Sequence, residues 1–337
     1  MFSKLVTGAL ALSLAATMAM AADGVRFNVI KDSMLKDAPK GEKAVSEIEK
    51  KYNEMVNNDI AGVGFVLSDP HERINDGFAT KYGGTNLDNL GFFSVTADEA
   101  LRPLLLKSPE IGAFSPFNLH IYKVKGENTT RVGHIVPSTM LDIVGVKDKA
   151  TRAEFTKMFG PLDKLVDEKL GGKVEVTSYD KLTASPMMNF ELTFERPEDL
   201  NDFIDGFQEK YEAAFEDKKY IIAGYKNFRE AYDELEQDFS KYDAYFVYSL
   251  CHITFSNGVF NIVDGQEGDA RPDAGAFAPC SMYMYIEKDS NKMVIGMPKL
   301  ENWISVMNIK DKKMVDAIHT LDKEIISIME GLGAKTK

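Results

Sequence analysis

The sequence predicts a mixed α/β fold of the α+β kind, made twice. Two similar units, each a small mixed or antiparallel sheet covered by helices, are expected to pack on each other as a pseudo-dimer. Three observations predict it. Strand-like and helix-like hydrophobic periods alternate along the chain. A long segment recurs 163 residues further on. The strands of that segment are half apolar on both faces, so each sheet needs cover on both sides.

The elements follow in order. In the first unit, 26–30 reads as a short strand. Ala44, Val45, Ile48, Tyr52 and Val56 have helical spacing over 42–56. Strands are expected at 62–68 and 91–95. Thr96 and Glu99 are spaced as a capping box opening a helix that stops by Ser108-Pro109. Segments 118–124 and 130–137 read as a hairpin around a five-residue polar turn, 125–129. A closing helix spans 147–170, with an interruption at Gly160-Pro161. The second unit repeats the plan, with strands at 187–194, 220–223 and 244–251 and helices at 199–215 and 228–239. A hairpin of 280–287 with 292–297 and a closing helix over 310–330 complete it.

The repeat fixes this correspondence. Gly112-Ala113-Phe114 recurs as Gly275-Ala276-Phe277, Pro116 as Pro279, Tyr122 as Tyr285 and Gly133 as Gly296. Across 112–149 there are 11 identities in 38 positions at a constant offset. The expected organisation is a leader at 1–21, a first unit at 22–172 and a second at 186–334.

The leader has Lys4, an apolar run over 5–16 and the small-x-small triplet Ala19-Met20-Ala21, the pattern of a cleaved export signal. Its run is too short to span a bilayer, and no later stretch is long enough. The expected address is the bacterial periplasm. With 40 Lys+Arg against 52 Asp+Glu the net charge is −12, or −13 once Lys4 is removed. That acidity argues against a nucleic-acid face and against a general binder of anionic membranes.

Candidate chemistry is sparse. With a five-residue turn, Tyr122 would face Val132 and His120 would face His134 across the hairpin, close enough to share a metal or ligand. Two ligands fall short of a zinc site, and a one-residue slip would separate them. Cys251 and Cys280 are the only cysteines; an exported chain permits a disulfide, buried free thiols or a redox role. Cys280, Met282 and Met284 alternate like a soft-metal set, but their counterparts Phe117, Leu119 and Ile121 are plain core residues. The acidic loop with Asp264, Glu267, Asp269 and Asp273 lacks the EF-hand spacing. Asp69-Pro70-His71-Glu72 lacks the second histidine of a metalloprotease motif, and Gly62-x-Gly64 is only half a dinucleotide fingerprint. No nucleophile elbow or P-loop is present. The expected function is therefore a non-enzymatic binding or accessory protein without a resident cofactor. The competing reading is a metal or redox protein using His120/His134 or Cys251/Cys280.

One segment resembles a known family, the domain of unknown function 302. Its members carry a glycine and an aromatic or aliphatic residue before Pro-Cys, then a strand ending in Val-Tyr. Here these are Gly275, Phe277, Pro279, Cys280 and Tyr285, and in the first unit Gly112, Phe114, Pro116 and Tyr122, with Phe117 in place of the cysteine. Ser108-Pro109-Glu110-Ile111 is similar to the family's lead-in, which the second unit replaces with its acidic loop. The resemblance implies two tandem copies of a compact α/β fold and no particular activity.

Overall fold

The computed structural model describes residues 21–36, 44–263 and 269–337. Except for Ala21, the expected leader lies outside them, as do Asp264 and Glu267. The chain forms two six-stranded antiparallel sheets. The first contains β1 (Ala22–Lys31), β2 (Val66–His71), β3 (Leu87–Thr96), β4 (Phe117–Val124), β5 (Thr129–Ile135) and β6 (Lys173–Tyr179). The second contains β7 (Met187–Thr193), β8 (Tyr220–Asn227), β9 (Tyr242–His252), β10 (Cys280–Glu287), β11 (Lys292–Pro298) and β12 (Lys335–Thr336). The spatial order is β2-β3-β4-β5-β1-β6 in one and β8-β9-β10-β11-β7-β12 in the other. Each strand thus occupies the place of its counterpart six strands earlier. The sheets reach past the expected limits, since β6 follows residue 172 and β12 follows residue 334.

The long helices repeat as well. Lys149–Leu170 and Lys312–Gly331 close the two units, and each begins on an aspartate whose carboxylate takes the backbone N–H three residues on, Asp148 from Thr151 and Asp311 from Met314. Their apolar residues, among them Phe155 and Phe159 in the first and Ile318 and Ile325 in the second, are buried in the core. Pro161 does not interrupt the first helix. It sits on the exposed side, where water can serve the carbonyl that loses its partner.

Two further local expectations fail for identifiable reasons. Residues 60–63 form a 3-10 turn ending at Gly64 in the left-handed region (φ 85°), so β2 starts only at Val66. The capping box at Thr96 and Glu99 does not form, because the Thr96 hydroxyl donates to the Asp98 carboxylate (3.0 Å). A capping box forms instead at Ser46 and Glu49.

The second face of each sheet is covered by the other unit. The 3-10 segment Pro109–Phe114 lies on β10 and β11, while its counterpart Pro272–Phe277 lies on β4 and β5. The approach is close: a Cβ on Gly112 would fall 2.0 Å from the Tyr245 hydroxyl, and one on Gly275 would fall 2.6 Å from the His120 ring. The hydrogen bonds mirror each other. Tyr245 donates to the Pro109 carbonyl, and His120 Nε2 lies 2.8 Å from the Pro272 carbonyl. Helix Asp98–Lys107 adds contacts from its own side, with Tyr242 donating to Leu105 O and Tyr232 to Asp98 O, both at 2.8 Å.

Gly112→Ala and Gly275→Ala are each expected to lower unfolding free energy by about 2 kcal/mol, since the added methyl must displace a ring across the unit boundary. Gly206→Ala, with open space around its helical position, should be neutral or stabilising. Urea titration checks all three. Wild-type stability in both boundary variants would mean that the units do not depend on this contact.

Candidate functional site

The structure separates the two histidines. β4 pairs with β5 as His120 opposite Gly133, Ile121 opposite Val132 and Tyr122 opposite Arg131, one residue away from the expected register. The cause is the turn. Glu127 N donates to Val124 O (3.2 Å) with Gly126 at φ 81°, so the chain reverses over four residues, 125–128, instead of five. His120 therefore faces the second unit, and His134 faces the first unit's helices.

Each ring is fully engaged. His120, with 0% exposure, lies between two carbonyl oxygens, Gly91 O (3.0 Å from Nδ1) and Pro272 O (2.8 Å from Nε2), and stacks on Tyr122. Burial lowers its pKa from 6.5 to about 4, although both carbonyls favour the charged ring. His134 lies among Phe117 and Phe159, with Nε2 2.9 Å from Asp163 Oδ1 and Nδ1 2.8 Å from Ile135 O. Burial opposes the Asp163 charge, but the His134 hydrogen bond and the charges of His134 and Arg26 outweigh it and hold this carboxyl below its ordinary value. Among the described residues, no three His, Cys, Asp or Glu side chains come together as a metal site.

The remaining sequence candidates are mostly structural. Gly112 and Phe114, with Gly275 and Phe277, lie in the docking 3-10 segments; Pro116 and Pro279 follow them, and Tyr122 and Tyr285 lie on β4 and β10. Met282 is fully buried and accepts the Tyr211 hydroxyl, 3.5 Å from its sulfur. His71 Nε2 lies 2.5 Å from Ala223 O, where β2 meets β8. Asp273 pairs with Arg271 (2.8 Å). Cys251 and Cys280 are free thiols. Cys251 Sγ lies 3.6 Å from Ser256 Oγ and Cys280 Sγ 3.9 Å from Phe277 O. Both line one void of about 20 Å³, and burial pushes both thiols up.

What the sequence reading missed is a cleft in the second unit. It measures about 900 Å³ and lies between helix Ile253–Phe260 and the start of helix Lys312–Gly331. Phe255, Val259 and Met314 supply its apolar wall, and its polar side carries His252, Asn257 and Lys313 together with the carboxylates Asp269 and Asp311. His252 caps the first helix by accepting Phe255 N at Nδ1 (3.1 Å), and among the described residues its Nε2 has no hydrogen-bond partner. The first unit is closed at this place, where Lys107 pairs with Glu154 (3.4 Å) between the corresponding helices. Strand register and helix starts align Lys107 with Ile262 and Glu154 with Ala317, and both replacements line the cleft. A signal for this existed. The offset between units is 155 in the third strands and 163 in the fourth, an insertion of eight residues between those strands.

The buried His120 sets a pH dependence. Its folded pKa lies below the unfolded value, so between about 4 and 6.5 the unfolded chain binds more protons. The stability this group contributes is complete above about pH 6.5 and is lost as pH falls towards 4, on the order of 3 kcal/mol in all. Unfolding titrations of wild type and His120→Gln across pH 4–7 measure it. The variant should lose most of that slope, and parallel curves would refute the assignment.

No family model and no curated protein matches the chain. A solved structure does: the crystal structure of an uncharacterized conserved protein DUF302 from Bacillus stearothermophilus. It is 17% identical, and the match covers 44% of this chain and 98% of that chain with a TM-score of 0.34. Its name is that of the family which the Gly-Phe-Pro-Cys segment resembles.

Proposed function

We propose that the protein is an exported, non-enzymatic binding protein that holds a small amphipathic molecule in the second unit's cleft. The observation that carries this reading is the difference between the units. The same two helices are bridged by an ion pair in the first and stand apart around about 900 Å³ in the second. A concave site with an apolar wall and a few polar groups at its edge is the common form of a small-ligand pocket. The leader sequence and the acidic charge support a periplasmic address. The buried histidines have no open position for a substrate, which favours binding over catalysis.

An apolar fluorescent anion, 1-anilinonaphthalene-8-sulfonate, tests the site. It should bind the mature chain saturably at about one molecule per chain. Ala317→Trp, which fills the cleft, should weaken binding about tenfold or more, while Glu154→Trp in the first unit leaves it unchanged. Equal binding by wild type and Ala317→Trp would sink the proposal.

A second reading rests on the shared void of Cys251 and Cys280. In an oxidising compartment an oxidised dithiol partner could take two electrons and two protons from the pair, leaving one disulfide. Thiol titration of protein isolated from that compartment, denatured without reductant, is expected to find none free. Two free thiols would exclude it.

A further inference from the structure

Sheet edges need cover, because an unpaired strand offers a row of backbone donors and acceptors to any other strand. Three of the four edges here are short or occupied. β2 and β8 meet each other, with His71 reaching Ala223, and the two-residue β12 closes the outer side of β7. The fourth is β6. It pairs with β1 on one side, and among the described residues no strand pairs with it on the other. Helix Glu301–Val306 of the second unit approaches only its far end, near Thr177.

The near end of β6, residues 173–176, is exposed on both faces. Val174 (42%) and Val176 (47%) are two of the few large apolar side chains exposed to this degree. Lys173 and Glu175 share the other face and touch each other at 3.0 Å. The order Lys-Val-Glu is self-complementary. In an antiparallel pair with its two-fold axis through Val174, Lys173 lies opposite Glu175 of a second copy, twice by symmetry, and Val174 lies opposite itself. Centring the pair on Glu175 would instead put two carboxylates opposite each other.

The geometry points to β6 as a self-association edge. Two copies of this chain pair through 172–176, with Val176 of one opposite Gly172 of the other, joining their first sheets into one twelve-stranded sheet. The contact is small, so the dimer forms reversibly and depends on concentration. It lies on the first unit and is independent of the cleft in the second.

Sedimentation equilibrium of the mature chain, over about 5–500 µM at about 0.15 M salt to damp repulsion between acidic copies, tests this. A reversible monomer–dimer equilibrium is expected. Lys173→Glu and Glu175→Lys should each raise the dimer dissociation constant about tenfold, since each turns two attractions into two repulsions. The double variant Lys173→Glu/Glu175→Lys restores the complementary order and should return to within about threefold of wild type. Backbone amides of 173–176 should exchange more slowly as concentration rises. A wild-type chain that stays monomeric throughout overturns the proposal, as do single variants that dimerise like wild type or a double variant as weak as the singles.

Discussion

The molecule depends on a reciprocal exchange of two short backbone segments. Each unit carries a 3-10 turn that its own sheet does not need, and each places that turn on the sheet of the other. Pro109 O and Pro272 O hold equivalent places in the repeat, and both meet a buried ring of the opposite unit: Pro109 O accepts from Tyr245, and Pro272 O lies 2.8 Å from His120 Nε2. Glycine at 112 and 275 lets the backbone come close enough for this. Because each sheet has one face on its own helices, the exchange covers the face that would otherwise meet water. Two half-covered sheets become one continuous core.

This explains why the chain was legible in outline and misread at its histidines. The repeat implied two matching units with a hairpin in each, and the apolar character of both sheet faces implied that the units cover each other. Period and spacing do not report register. One glycine, Gly126, shortened the 120s turn and moved His134 to the opposite face of the sheet. A better signal lay in the repeat itself. Gly133 and Gly296 stand opposite His120 and Tyr283, and a Cβ at Gly296 would fall 2.4 Å from the Tyr283 ring. A glycine kept in both copies marks a crowded strand position, against the Arg26 backbone and the Phe27 ring in the first unit and against the Tyr283 ring in the second.

The polar groups that differ between units show what each copy is free to change. Asp163 and Asp322 each lie in a closing helix, four residues apart once the helix starts are aligned, and they serve different partners. Asp163 is drawn to His134 and Arg26. In the second unit Met297 replaces that histidine, and the Asp322 carboxylate accepts Leu300 N (2.8 Å) and Glu301 N (3.0 Å) at the start of a short helix. Burial raises its pKa to about 6, with the two backbone donors opposing the rise. A buried carboxylate needs donors, and each unit supplies them from its own surroundings, a histidine and an arginine in the first and two backbone N–H groups in the second.

The cleft follows from the same freedom. Each unit hides one face of its sheet under its own helices, and the second does so without the charged pair that bridges them in the first. The second has Ile262 and Ala317 in place of Lys107 and Glu154, and eight more residues between its third and fourth strands. The core beneath stays closed, since Phe260 and Trp303 stack there and Phe277 packs against the same indole. The opening lies beside the second unit's docking segment, whose lead-in residues Asp269 and Ala270 line it. Space appears where the charged pair of the first unit has no counterpart in the second.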